Sequence, residues 1–393
     1  MGRAERLRGL AAAALCLPLL APAAWRAGGH LKGTALSREG GGTGAGTRQA
    51  LDLRFTWEGR RAGGWEGRLH LQWLAAGGQE GSGGLAGRVL PDDRRRLLRL
   101  ARRGSTAGWE WVQRVDRLSL GYARGRQVLR VGRQVVGWGN GLVFQPMDFL
   151  SPFAPTAIDT AYKVGDDMVY YQRLWDDGGD LQAVWVGRRD PATGRAEAGL
   201  ATWAAKQRFL RGGATLDLLA ARHYGQEVAG AGLAADWRGG VLRLDLVRAG
   251  AGSGPPAWLA VVNADRSWAW RGRNVYGYLE YFHNGFGGGP GTYARPREAL
   301  AARLARGELF TLGRDYLAAG LQVEWTPRWQ WQPLLIANLG DGSGLFQGRV
   351  RWDWRADLDL EGAVILAWGG GGSEFGGFVR DRVNAYIRAS LYF

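Results

Sequence analysis

Along much of the chain apolar and polar residues alternate with a period of two, the mark of strands with one greasy and one wet face. Leu51, Leu53, Phe55 and Trp57 alternate with Asp52, Arg54, Thr56 and Glu58, and Leu69, Leu71 and Trp73 with Arg68, His70 and Gln72. Leu242, Leu244 and Leu246 flank Arg243 and Asp245, while Val350, Trp352 and Trp354 oppose Arg351, Asp353 and Arg355. The pattern predicts strands at 50–58, 66–76, 109–115, 117–125, 127–137, 168–175, 180–188, 198–208, 213–222, 229–238, 240–248, 257–264, 275–283, 315–325, 329–337, 347–355, 357–367 and 383–393. That makes about 18, with 16 as the alternative, and single-chain bacterial barrels have even counts. The segment Arg94–Arg103, RRRLLRLARR, reads as a strand, a short amphipathic helix or part of a loop.

A soluble sandwich also alternates, so three further features set the environment. Charges sit in mid-strand on the polar faces, as a wet lumen requires. Tryptophans recur near strand ends, where barrels carry their interfacial girdles. The chain closes on Val383 to Phe393 with every second residue apolar, counted back through Leu391 and Ala389. The expected fold is therefore all-β, a transmembrane antiparallel outer-membrane barrel over residues 50–393.

The N-terminus reads as an export signal. Arg3, Arg6 and Arg8 precede an apolar run over Leu10 to Leu20, and Ala21-Pro22-Ala23 supplies a cleavage pattern, so 1–23 is expected to be removed. The run is too short for a permanent membrane helix, which needs about 20 apolar residues. Cleavage takes away Cys16, the only cysteine, and with it any disulfide or thiolate site. Residues 24–49 look like a flexible Gly-rich lead-in, too short for the plug domain of an energised receptor.

Composition sharpens this picture. The chain carries 65 glycines, 20 tryptophans and a net charge of +15. Lys32, Lys163 and Lys206 are the only lysines, so the positive charge is nearly all guanidinium. Such a basic chain would ordinarily suggest nucleic acid, but export and alternation exclude that partner. The charge belongs instead to a lumen and to an outer rim facing lipopolysaccharide and the surrounding outer-membrane lipid. Pore-lining candidates are Arg54, Arg68, Arg130, Gln134, Arg243, Arg351, Arg355 and Arg388. A ring of such groups raises local anion concentration. The structural alternative pairs them across strands with Asp52, Asp245, Asp353 and Asp357. Arg133 shares the parity of Leu129 and Val131, which would aim it at lipid, so a bulge at Gly132 is expected.

The most distinctive stretch is Gly132 to Asp167. A strand runs into Trp138-Gly139-Asn140-Gly141, followed by an apolar, Pro-punctuated connection ending in Asp159, Lys163, Asp166 and Asp167. Phe144, Met147, Phe149, Leu150 and Phe153 are too apolar for a solvated loop. As the third outward loop, it either folds inward as a constriction, with Trp138, Phe144, Asp148, Phe149 and Phe153 inside the barrel, or caps the rim. Gly132-Arg133-Gln134, the W-G-x-G and Pro146-Met147-Asp148 resemble a broad group of porin-like proteins of Gram-negative bacteria. The alginate-export barrels look similar in size and in their arginine-rich lumen. The specific likeness spans roughly Leu118 to Tyr171. It implies passive transport of small solutes and leaves the solute open.

Enzymatic barrels need a base, and the four histidines, His30, His70, His223 and His283, lie in no recognisable motif with Ser or Asp. No enzyme, cofactor or metal is expected; Asp166-Asp167 and Asp176-Asp177 read as solvated turn acids rather than Ca²⁺ ligands. The C-terminal strand, through Phe393, Leu391 and Ala389, is expected to be read by the barrel-assembly machinery, and a homo-trimer is compatible with the fold. Two function classes remain: a diffusion channel for small polar, anionic solutes, or a non-conducting barrel serving as scaffold or partner of an export system.

Overall fold

The computed structural model describes residues 24–40, 46–78, 90–252, 254–378 and 381–393. The signal-peptide expectation lies outside them. The strands are β1 (Trp25–Gly40), β2 (Gly46–Arg61), β3 (Trp65–Gly78), β4 (Ala101–Thr106), β5 (Trp109–Arg124), β6 (Gln127–Gln134), β7 (Asp166–Leu174), β8 (Asp180–Val186), β9 (Thr202–Arg211) and β10 (Ala214–His223). They continue as β11 (Gln226–Trp237), β12 (Gly240–Ala249), β13 (Ala257–Trp270), β14 (Arg273–Asn284), β15 (Asp315–Thr326), β16 (Trp329–Asn338), β17 (Gly344–Arg355), β18 (Leu358–Trp368) and β19 (Asp381–Tyr392). Among the described residues one α-helix, α1 (Glu298–Arg306), interrupts the β14–β15 connection.

Apart from β4, each strand pairs antiparallel with the next, and β1 pairs with β19, from His30↔Tyr392 to Ala35↔Ile387 and beyond. The result is a closed 18-stranded barrel. Closure removes free sheet edges, as a hydrocarbon environment demands. Alternation fixes the two faces: Leu51 and Phe55 are 48% and 44% exposed, whereas Arg54 between them is 2% exposed. An apolar outer surface around a polar interior marks an integral membrane barrel.

The connections sort by end. At the end holding Trp25 and Phe393 they are short, and Arg238-Gly239 and Arg271-Gly272 have positive φ at both residues (49° and 77°, 51° and 73°). These are type I′ turns, whose twist matches that of the flanking strands. The long connections all lie at the opposite, outward end. Trp237, Trp268, Trp270, Trp325 and Trp354 are exposed around the inner rim, and Trp203, Trp258 and Trp368 around the outer one.

Two departures from the sequence reading offset each other in the strand count. The expected lead-in is largely β1, whose outward positions around Leu31 are small: Ala27, Gly29, Gly33 and Ala35. A Cβ at Gly29 would lie 2.2 Å from the Arg54 carbonyl oxygen and 2.8 Å from the Phe393 ring. The glycine is there for close approach, not looseness. Second, 109–124 is one strand, not two. His70 pairs with Arg117 and Leu71 with Val115, so Asp116 is a bulge that flips the alternation mid-strand. With both corrections the 135–165 connection is still the third outward one.

Arg94–Arg103 divides into an irregular strap and the start of β4. This strand pairs only with the outward part of β5, above the end of the shorter β6, and does not cross the barrel. The expected bulge at Gly132 is absent: register with β5 and β7 runs unbroken through Leu118↔Arg133 and Arg133↔Asp167. Arg133 does face outward but is 1% exposed, because Asp167 pairs with it (Nε–Oδ1 2.8 Å) and the strap covers both. The strap's Leu98 accepts from Arg133 (2.7 Å) and donates its N–H to Asp167 (2.7 Å).

The inserted loop and the candidate pore

Residues 135–165 leave β6 at the outer rim and cross the interior. Their contacts are with the inward side chains of strands all around the wall. Trp138 donates to Gln182 Oε1 on β8 (2.8 Å). Asn140 donates its backbone N–H and its side-chain amide to the two Asp245 oxygens on β12 (2.7 Å each). A Cβ at Gly232 on β11 would sit 2.7 Å from the Asn140 amide and 2.7 Å from Asp245, so the wall is left without a side chain where the loop docks.

Glu280 on β14 is the central anchor. Fully buried, it accepts the backbone N–H groups of Leu142 (2.6 Å), Val143 (3.0 Å) and Phe144 (2.7 Å), and the Asn263 amide (3.1 Å). Charge-assisted bonds of this kind are about twice as strong as neutral ones. Phe144 then stacks on Phe282 (centroids 4.6 Å), and Phe149 packs on His223 (4.9 Å). Met147 is fully buried in the same cluster.

The returning half is held by cations. Lys163 pairs with Asp148, whose carboxyl burial pushes up although the ammonium opposes it. Arg349 donates to the Ala157 carbonyl (3.3 Å), Arg388 to that of Ile158 (3.0 Å), and Lys32 to Asp159 (2.6 Å). Burial works against ionisation of Asp159, but Lys32 and Arg388 prevail and hold its carboxyl below the usual range. Asp166 pairs with Arg188 (2.6 Å) and Arg96 at the outer rim.

Two cavities flank the loop. The outer one, of ≈ 530 Å³, is lined by β1–β3, the strap, the loop and the end of α1. Its walls carry eight cationic side chains, including Lys32, Arg48, Arg54, Arg114, Arg306 and Arg388, against Asp52, Asp92 and Asp159. Tyr162 lies in it with the Arg54 guanidinium 4.2 Å from its ring centre. The inner cavity, of ≈ 340 Å³, is more neutral, lined by Tyr276, Tyr278, Gln332, Gln347 and Arg349. Phe153, Ala154 and Ala157 of the loop border both.

The expected pore residues separate into groups. Arg54 and Arg388 face the outer cavity, although both are paired, with Asp116 (2.7 Å) and Glu361 (3.0 Å). Arg243 is tied to Asp265 (2.7 Å) and Arg351 to Asp359 (2.7 Å) and Asp353 (3.0 Å). Arg130 pairs with Glu66, and Arg68 lies 3.8 Å from Glu58. Gln134 is buried at the end of β6. Arg355 is exposed at the β17–β18 turn beside the Trp354 ring, away from both cavities. Of the acids expected as wall partners, Asp245 anchors the loop instead. Lys32, Arg48, Arg96, Arg114, Arg306 and Tyr162 escaped the sequence reading. Lys32 and Arg48 lay in the supposed lead-in, Arg114 stands two residues before the bulge, and the others are in connections.

Solved structures were found with the same architecture. Over 94% of this chain and 98% of theirs, OccAB2 of Acinetobacter baumannii (TM-score 0.57, 10% identity) and a BenF-like porin of Pseudomonas fluorescens (0.57, 11%) superpose. So does Pseudomonas aeruginosa OpdK solved with vanillate (0.55, 12%, the same coverage). The fold is that of outer-membrane porins. No protein-family model matches the chain, and no curated protein sequence matches it.

Proposed function

We propose that the barrel is a porin-like channel for passive diffusion of small polar, anionic solutes. The observation that carries this reading is the outer cavity, lined by eight cations and three acids and opening onto the inserted loop. Seven of the cations are held in ion pairs, and Arg48 has no ion-pair partner among the described residues. Cations in a low-dielectric wall concentrate anions at the mouth and lower their barrier to entry. A solute held there reaches the inner cavity past Phe153, Ala154 and Ala157, so this stretch is the constriction. The pins from Lys32, Arg349 and Arg388 fix its position. The presence of vanillate in OpdK favours small carboxylates as the solute class. Delivery to the membrane goes through the assembly machinery reading the last strand, where Ala389, Leu391 and Phe393 all present to lipid.

The test is conductance of refolded residues 24–393 in a planar bilayer under a salt gradient. Discrete steps with an anion-selective reversal potential are expected. A correctly folded barrel that stays silent would overturn the channel and favour a plugged scaffold, its lumen filled by the loop's buried aromatic cluster.

A further inference from the structure

The strap carries a feature the pore does not use. Leu97 and Leu98 lie at the outer rim above the short strands β6–β8. A Cβ at Gly187 would touch Leu97 (2.6 Å) and the Trp185 ring (3.2 Å), so both border the same glycine. Trp185 in turn neighbours Trp203 (centroids 6.1 Å), which is 61% exposed in the outer girdle, and Leu98 is 41% exposed. This apolar belt ends where the next residue begins a cluster of cations.

Arg99 and Arg189 both donate to one carbonyl, that of Gly194 (2.8 and 2.9 Å), while Arg189 also donates to the Leu97 carbonyl (2.7 Å). Arg195 follows directly and is exposed. Two guanidinium groups thus converge on a single neutral oxygen, and among the described residues none of these three arginines has an ion-pair carboxylate. The adjacent Asp190 is turned to the backbone N–H groups of Ala192 (2.6 Å) and Thr193 (2.9 Å). Like charges held this close favour a counter-anion, and guanidinium forks match phosphate oxygens.

We propose that Arg99, Arg189 and Arg195, with Leu97 and Leu98 beneath them, form a docking site for the phosphorylated headgroup of an outer-leaflet lipid. The inference rests on the outward placement of the long connections, not on conduction. Height decides the occupant: the cations stand immediately above tryptophans of the interfacial girdle, where a lipid's phosphates lie while its chains pass the leucines. A free anion would gain nothing from that apolar floor.

The experiment is native mass spectrometry of the detergent-solubilised barrel titrated with bis-phosphorylated lipid A, its dephosphorylated form, and inorganic phosphate. One bis-phosphorylated lipid is expected to be retained and the dephosphorylated form lost. At roughly fivefold per arginine near a membrane surface, R99Q/R189Q/R195Q should weaken retention about 100-fold and the exposed R195Q alone about fivefold. R195Q keeps the test valid if the triple variant fails to show heat-modifiable gel mobility. Equal retention by wild type and R195Q, or displacement by millimolar inorganic phosphate, would overturn the lipid site. Bilayer currents of R195Q should match wild type. A silent wild-type barrel that still retains lipid would sink the channel and leave this site standing.

Discussion

Removing the Glu280 carboxylate is the perturbation that most directly separates an anchored loop from one merely resting in the lumen. In Glu280→Ala, the N–H groups of Leu142, Val143 and Phe144 lose their acceptor together, while the Asn263 amide keeps the Asn140 carbonyl (3.0 Å). A buried donor left without a partner costs about 1–3 kcal/mol, so three backbone donors amount to roughly 3–9 kcal/mol. Water from the adjoining cavities can reach the vacated space and offset part of this, which sets the expectation near the lower end. About 3 kcal/mol raises the undocked population of the loop on the order of 100-fold. Glu280→Gln retains one oxygen acceptor and should cost distinctly less. The assay is hydrogen exchange at Leu142–Phe144 in detergent micelles, with amides of β11 and β12 as internal reference. Accelerated exchange confined to the loop, accompanied by larger and noisier bilayer currents, is expected. Unchanged protection of those three amides in Glu280→Ala would refute the reasoning, because the loop would then be held by its aromatic packing alone.

Three further outcomes are expected. Arg48 lines the outer cavity with no ion-pair partner among the described residues, so Arg48→Glu should move the reversal potential toward cations without lowering the unfolding temperature. Glu308 is held at about 2, since His223 and Arg306 outweigh the burial that opposes ionisation, with Arg303 also nearby. A depressed folded pKa gives stability that is full above the ordinary carboxylate range and lost as pH falls toward 2. The Glu308 contribution to exchange protection of the α1 region, read as the difference between wild type and Glu308→Gln, should accordingly hold above the carboxylate range and fall only in strong acid. Gly29→Val places a Cβ 2.2 Å from the Arg54 carbonyl oxygen, so heat-modifiable folded barrel should be largely lost.

The sequence disclosed the barrel because lipid and water demand opposite chemistry at successive residues, and β2 and β17 obey that demand cleanly. It disclosed the loop because Phe144, Phe149 and Phe153 have no place in solvent. It misled where a position was governed by a partner distant in the chain. The glycines at 28 and 29 of β1 are set by Phe393, distant in the chain, and the strand looked like a linker. The bulge at Asp116 is stabilised by Arg54 and Arg117 on either side and looked like a turn. Arg133 looked misplaced because its cover comes from Leu98, and the anchoring role of Glu280 could not be seen before the loop was known to fold inward. Alternation also says which residues face the lumen without saying which of them keep a free charge there. Arg243 and Arg351 satisfy the pattern and are neutralised by neighbours.

The seam between β1 and β19 has a consequence for how the chain matures. The backbone of Phe393 exchanges two hydrogen bonds with Gly29 (2.7 and 3.1 Å), so two strands far apart in the sequence must meet before the ring closes. Until that moment every intermediate carries two unsatisfied strand borders, which are templates for pairing with other chains. The first strand is poorly suited to such mispairing: it offers few large apolar side chains, and Lys32 needs the acid Asp159 that only the inserted loop supplies. The early border is thus a weak template, and the late one, rich in aromatics, appears only when its proper mate is waiting.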